Sequence, residues 1–439
     1  MTQNPQTKLF VNARKYSTSQ LVCGKAEGCR KINVKAYGIQ GHGQGCEAGQ
    51  YSYQTLSREK VLERPLNVLH VIIGLNQGGA QEAVLNLFKG LDRRQFEPIV
   101  CAIENTGAIG KEIEAAGLEV IVLGHKRQAL RTIFTLAKLM RDRKIDIVDT
   151  AGYHPSLYAR IAGLLAGVPV LISHEHGVYA HKRWRRVILN KLLAPFTDCF
   201  IAVSQVMAQQ VIDWYGYAET KVEFIPNGVD TLRFAPPSSR NEAKQKMGLD
   251  PKRLVVGMLC RLTPDKGHRF FFDAVKTLRG KFDVQWLVVG MGNSGIEEQQ
   301  VMQEAKDRGV DDVVQFLGLR RDVPDLMAAF DCYVLPTLRE GGCPISVMEA
   351  MSSGCAIVVS DFPTNLEAVS DGVNGLVAPM GDSVTLTKHI ETLLKNSIVR
   401  ERLGAKARRY AEDNLSIQRN TDKTAALYKR LMSNKKDTQ

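Results

Sequence analysis

No run of the 439-residue chain stays apolar for the roughly 18–20 residues a membrane-spanning helix needs, so no span is expected. The start, Met1-Thr-Gln-Asn-Pro-Gln-Thr-Lys8, has no basic segment leading into an apolar core, so no signal peptide is expected either. Cysteine is sparse and odd in number. Nine are scattered along the chain, and Cys101, Cys199, Cys260, Cys332, Cys343 and Cys355 fall in or beside apolar runs. That pattern argues against a disulfide framework and predicts reduced, buried thiols in a cytoplasmic protein. After the first strand, Gly74 precedes the Gly78-Gly79 pair by four positions and no third glycine opens the helix, so this turn is not a Gly-x-Gly-x-x-Gly, which counts against a dinucleotide-dependent oxidoreductase. The basic charge comes without a recognisable nucleic-acid motif, so nucleic acid is not an expected partner.

What remains is ordinary core material, 44% hydrophobic and 24% charged. The chain is too long for one hydrophobic core, so two domains are expected. A net charge of +12 and a pI near 9.2 leave an anionic small molecule or an anionic membrane face as partners. Residues 1–64 are rich in Gly, Gln, Ser, Thr and Lys without a sustained period, and read as a poorly ordered extension. Within them Cys23, Cys29, His42 and Cys46 lack the paired rhythm of zinc modules.

From residue 65 onward, apolar strand-like runs alternate with helical patterns. An N-terminal unit covers 65–232, a Pro/Ser-rich break covers Asp230–Arg240, and a second unit covers 240–410. Residues 411–439 read as a C-terminal helix and basic tail. Strands separated by helices imply an α/β fold with parallel sheets and helices on both faces. Such sheets bind ligands at the carboxyl ends of their strands, so the cleft between the two units is the expected site.

The densest chemistry follows the apolar run Asp331–Leu335: Glu340, then Gly341-Gly342, then Pro344, then a helical pattern carrying Glu349. Pro344 suits the first turn of a helix. Loop and helix start together expose several N–H groups, a way to grip a diphosphate without side chains. A carboxylate on either side can then accept from sugar hydroxyls. Earlier, Gln77-Gly78-Gly79 follows the first strand, and its glycines permit positive φ and close approach of a ligand. Ser173-His-Glu-His-Gly-Val178 ends another strand, and His176, beside flexible Gly177, is the histidine expected to face the cleft. It is suited to hydrogen-bonding a sugar or moving a proton near neutral pH. Arg261 and Lys266 follow strand Leu254–Leu259 and are placed to neutralise a diphosphate. Gly290, Gly292 and the Phe316-Leu317-Gly318 strand end let backbone approach a base or ribose.

Taken together, Arg261…Lys266, Gly290-x-Gly292, Phe316-Leu-Gly318, Glu340-Gly-Gly…Glu349-Ala-Met, Ser360-Asp361 and Glu367…Asp371-Gly-x-Asn-Gly375 resemble the retaining glycosyltransferases of family four. The resemblance implies the GT-B architecture, two Rossmann-like doubly wound domains facing across a cleft. It implies a UDP- or GDP-sugar donor, no cofactor and no metal. The acceptor, a glycan or lipid-linked sugar, would be taken by the first domain, in cell-surface polysaccharide or glycolipid synthesis. By position, Arg261 and Lys266 would hold the diphosphate, Glu349 the ribose hydroxyls and Glu340 the donor sugar. Gly78 and Gly79 would approach from the first domain, and His176 would match the family's active-site histidine. One departure stands out. Eight residues separate Glu340 from Glu349 where the family has seven. Either the loop carries an insertion or Glu340 does not reach the sugar.

Two basic stretches add a second expectation. Lys126, Arg127 and Arg131 accompany the pattern Leu130–Arg143, and His181-Lys-Arg-Trp-Arg-Arg186 precedes Val187–Leu193. Basic amphipathic helices of this kind either lie on anionic lipid, placing the protein peripherally at the inner membrane face, or pack on the core with a solvated basic face. Two other readings fit the same residues, a sugar-nucleotide epimerase of the same fold and a non-catalytic nucleotide-sugar-binding partner. Transfer to an acceptor separates the first, and turnover of a donor the second.

Overall fold

The computed structural model describes residues 64–76, 78–175, 183–292 and 294–437. Cys23, Cys29, His42, Cys46 and His176 lie outside the described residues. Two parallel sheets carry the fold. The first contains β1 (Leu66–Ile72), β2 (Phe96–Ala102), β3 (Glu119–Val122), β4 (Ile147–Ala151), β5 (Val170–Glu175), β6 (Cys199–Ala202) and β7 (Val222–Phe224), in the order β3-β2-β1-β4-β5-β6-β7. The second contains β8 (Leu254–Leu259), β9 (Val284–Val289), β10 (Val314–Phe316), β11 (Cys332–Leu335), β12 (Ala356–Ser360) and β13 (Leu376–Ala378), in the order β10-β9-β8-β11-β12-β13. Both place their first strand centrally and grow outward in both directions, the doubly wound pattern. The expected α/β, GT-B architecture is therefore the one observed.

In the first unit the connecting helices are α1 (Gly79–Gly90), α2 (Gly107–Ala115), α3 (Ala129–Asp142), α4 (Tyr153–Ala166), α5 (Trp184–Leu193) and α6 (Gln205–Tyr215). In the second they are α7 (Arg240–Lys246), α8 (His268–Leu278), α9 (Gly295–Asp307), α10 (Val323–Ala329), α11 (Ile345–Ser352), α12 (Pro363–Leu366), α13 (Ser383–Lys395) and α14 (Ser397–Asn414), followed by α15 (Ile417–Lys436).

Helices on both faces leave the central strands no water-facing side, so β1 and β11 are apolar almost throughout. On β1, alternation still sorts the side chains: Val68 and Ile72 enter one core layer, Leu69 and Val71 the other. The second unit packs around Trp286 and Phe271, whose rings meet edge-on at 5.9 Å.

Helix α15 does not stay with the unit that precedes it. It packs on α1 and β5, and Leu427, Tyr428 and Met432 join the core of the first sheet. Residues 411–439 are thus, in their described part, a strap returning to the N-terminal half. Pro344 sits one position earlier than its sequence reading, as the N-cap before Ile345, with ψ 136°. Strand β13, three residues long, carries too short an apolar run to have been read.

Candidate active site

Arg261, Lys266, Gly290, Gly292, Leu317 and Glu340 follow the carboxyl ends of four adjacent strands, β10-β9-β8-β11. Backbone bonds knit these tips together. Gly290 N–H donates to the Gly318 carbonyl (2.9 Å), Leu317 N–H to Val288 (2.9 Å), and Leu262 N–H to Met291 (3.1 Å). Gly290 is held at φ 138° with the Cys260 carbonyl 1.9 Å from where a Cβ would sit, so only glycine fits. Arg261 is exposed, between the tips of β8 and β9.

Lys266 ends a short 3-10 turn after β8, and Leu338 N–H, beyond β11, donates to the Asp265 carbonyl at 2.7 Å. This tie brings the two loops together, and the Lys266 ammonium pairs with the Glu340 carboxylate. Their side chains are only 8% and 11% exposed. Removing either partner would leave an uncompensated charge in a desolvated place. The extra residue between Glu340 and Glu349 therefore does not carry Glu340 away from the lysine.

Glu349 lies on α11 with its carboxylate in a cleft between the two units. Glu82 and Glu112 line this cleft from the first unit, Arg233 from the linker, and Arg320 and Ile345 from the second. The cleft is open to solvent. Desolvation, and after it the neighbouring Glu82 carboxylate, push the Glu349 carboxyl up to about 8, against the pull of Arg233. Lys266 and Glu340 are not part of this cleft's lining. These residues thus form two groups, an ion pair at the strand tips and a carboxyl at the cleft, joined by Gly341-Gly342 and the start of α11.

Gly78 and Gly79 face this region from the first unit, but not for the reason read from the sequence. Gly78 has an extended φ of 171° and Gly79 begins α1, so neither needs a positive φ. Close approach explains them instead. A Cβ on Gly78 would fall 2.6 Å from Gln81 Oε1, and one on Gly79 would fall 3.2 Å from Ile345 Cδ1 across the cleft.

Beneath the end of β5 lies a cluster the sequence did not reveal. Asp149 on β4 is fully buried and accepts from Tyr428 Oη on α15 at 2.6 Å and from the Thr150 N–H at 2.7 Å. His70 Nδ1 lies 3.6 Å from one carboxylate oxygen and His174 Nδ1 3.8 Å from the other. Burial alone would raise the Asp149 carboxyl, but the hydrogen bond and charge of His70, with His174 and Tyr428, bring it down to about 2. Burial pushes the His174 imidazole down to about 4. His174 is therefore an interior group, and β5 ends at Glu175, immediately before His176. The sequence singled out the segment that carries His174 and the helical pattern of α15, but not their meeting, because Asp149 and Tyr428 are 279 positions apart.

Two family models match, one on each half: glycosyltransferase family 4 over residues 77–233 and glycosyl transferases group 1 over residues 239–410. A galactosyltransferase of Escherichia coli, UDP-Gal:alpha-D-GlcNAc-diphosphoundecaprenol alpha-1,3-galactosyltransferase, is 25% identical over 391 residues, covering 84% of this chain and 98% of that protein. The Campylobacter jejuni N,N'-diacetylbacillosaminyl-diphospho-undecaprenol alpha-1,3-N-acetylgalactosaminyltransferase is 27% identical over 373 residues, covering 79% and 95%. The crystal structure of Anabaena HepE in complex with UDP shares the fold, with a TM-score of 0.73 at 22% identity over 82% of this chain and 99% of that one. With both halves matched and the doubly wound pair of sheets in place, the chain belongs to the group 1, family-four-like glycosyltransferases.

Proposed function

We propose that this chain is a retaining, metal-independent glycosyltransferase that moves a sugar from a UDP- or GDP-sugar to a lipid-linked or glycan acceptor. The observation that carries the reading is the buried Lys266–Glu340 pair beside Gly341-Gly342 and the start of α11. A lysine held there can take up the charge of a departing diphosphate, with Arg261 and the N–H groups at the start of α11 assisting. The bond from the anomeric carbon to the diphosphate breaks as the bond to the acceptor oxygen forms on the same face, and the acceptor's hydroxyl proton passes to the departing diphosphate oxygen. Glu340, fixed by Lys266, is positioned to hold the donor sugar, and Glu349 to accept from the ribose. In this reading His176 is the histidine that acts on the donor sugar, and Gly78-Gly79 approach the phosphates from the first unit. Both relatives above carry diphospho-undecaprenol substrates in their names, which supports a lipid-linked acceptor.

Such an acceptor lives in a membrane, and among the described residues no helix is long and apolar enough to cross one. The first unit offers a surface instead. Trp184, Ile188, Leu192 and Phe196 recur every four residues along α5 and the turn after it, and are 66%, 48%, 63% and 58% exposed. Arg183, Arg185 and Lys191 flank them in solvent, with Arg185 over the Trp184 ring. Arg186 does not join this face; it stacks on Tyr153 at 4.5 Å. An apolar stripe rimmed by cations suits peripheral docking on an anionic membrane face.

A donor panel tests the reading. Purified protein is given UDP- and GDP-sugars with a polyprenyl-diphosphate-sugar acceptor, and the product's anomeric configuration is read by NMR. Transfer with retained configuration in the presence of a chelator is expected. An inverted product, or nucleotide-sugar binding without any transfer, would sink the proposal.

A further inference from the structure

Helix α6 of the first unit begins at the tip of β6, and the other unit caps part of its first turn. Ser204 is the N-cap and accepts from the Met207 N–H at 3.1 Å. The first two N–H groups, of Gln205 and Val206, donate to Glu367 Oε1 at 2.8 and 3.4 Å. Glu367 follows α12 in the second unit, and Tyr410 Oη on α14 fixes its carbonyl at 3.1 Å. A carboxylate at a helix start satisfies orphan donors and favours the helix dipole. Here the carboxylate comes from 162 positions away.

The same turn also touches the glycine loop. Ser204 Oγ donates to the Gly341 carbonyl at 3.1 Å, and a Cβ on Gly342 would fall 2.9 Å from Val203 Cγ2. The Ser204 hydroxyl thus serves two masters, accepting from its own helix and donating to the loop after Glu340. The sequence reading gave neither Ser204 nor Glu367 a role.

We infer that Glu367 and Ser204 form a clasp that closes the two units and sets the Gly341-Gly342 loop for the donor diphosphate, making both positioning residues. The inference rests on the reading that this loop holds the diphosphate. With the clasp made, the loop is held from both sides, by Lys266 through Glu340 and by Ser204 through the Gly341 carbonyl. With it broken, α6 regains orphan N–H groups and the loop loses its support from the first unit. Donor binding and closure are then coupled, because the closed arrangement already carries the loop conformation that binds.

The test removes a single donor. Gln205→Pro deletes the N–H that Glu367 accepts. Proline suits the first helical position, and Ser204 already has the extended φ −149°, ψ 154° that a residue before proline adopts. UDP and GDP are titrated by calorimetry into the full-length protein and into Q205P, E367L, E367Q and K266A. The nucleotide that wild type binds should have a dissociation constant about tenfold higher in Q205P and E367L, the scale of losing a hydrogen bond to a charged group. E367Q, which keeps an acceptor oxygen, should recover most of that binding, and Q205P/E367L should be no weaker than E367L alone. Q205P leaves the Glu367 side chain intact, so the result stands even if E367L does not fold. If Q205P binds nucleotide like wild type while K266A binds weakly, the clasp inference is wrong. If K266A also binds like wild type, the diphosphate-loop reading falls instead, and the clasp inference falls with it.

Discussion

The two halves of this molecule share one architecture and treat their polar residues in opposite ways. In the second unit, Lys266 and Glu340 meet across neighbouring strand tips, 74 positions apart, with short loops bringing them together. In the first, Asp149 meets His70 from the next strand, His174 from the strand on its other side, and Tyr428 from the far end of the chain. The second unit pairs two charges at its strand tips, nearly out of solvent. The other buries its charges under the strand that leads to His176, where they can only hold structure. A shared fold therefore does not imply a shared placement of charge: the second unit gathers an ion pair at its strand tips, and the first gathers a cluster beneath the centre of its sheet.

The contrast breaks first at Lys266. K266A should lower transfer by about 10²–10³-fold, the scale of removing one preorganised stabiliser of a developing anion. It should also lower thermal stability, because Glu340 is left unpaired. K266M/E340L should restore stability without restoring transfer, since an apolar pair of similar volume replaces a buried ion pair at little cost. Within the same half, E349A should act chiefly on nucleotide affinity and E340A chiefly on turnover. Steady-state kinetics with calorimetry separates the two, and an E340A enzyme with unchanged turnover would remove Glu340 from the sugar site.

Acid should probe one buried histidine in each half. His174 and His268 both lie near 4 when folded, against an ordinary value near 6.5, with burial the main cause. Between those values the unfolded chain binds protons that the native state refuses. Stability should therefore fall as pH drops from about 6.5 to about 4, by about 1.4 kcal/mol per unit for each histidine. H174Q and H268Q should each flatten that slope in denaturant titrations at a series of pH values. An unchanged slope would mean the native state accepts those protons.

Much of the fold was legible because parallel strands buried on both faces announce themselves as apolar runs. The run at Leu254–Leu259 needed no correction. The residues at the strand tips of the second unit were legible for a related reason. Each sits directly after such a run, at a spacing set by a local turn. Asp149, Tyr428, Ser204 and Glu367 were not legible. Their partners are chosen by the tertiary path of α15 and by the meeting of the two units, and no local period records either. Of the two reasons read for the glycine pair at 78–79, positive φ is not used, and the close neighbours in the structure are Gln81 and Ile345.

Smaller effects sharpen the contrast on the first unit. Y428F should cost about 1–3 kcal/mol, because it leaves the buried Asp149 carboxylate short of one donor. It should leave nucleotide affinity intact; a loss of affinity equal to that of K266A would mean the two halves are not divided as described. Changing Arg183, Arg185 and Lys191 to glutamate should weaken flotation with anionic vesicles by about fivefold or more per position. W184S with L192S should weaken it for neutral vesicles as well, with activity on a water-soluble donor unchanged.

The most direct test of the central claim is nucleotide release from the preferred donor by wild type and K266A, at matched protein stability and saturating acceptor. Release by wild type that all but disappears in K266A places the leaving diphosphate at the Lys266–Glu340 pair. Equal release by both proteins would contradict that placement and, with it, the assignment of the strand tips of the second unit as the donor site.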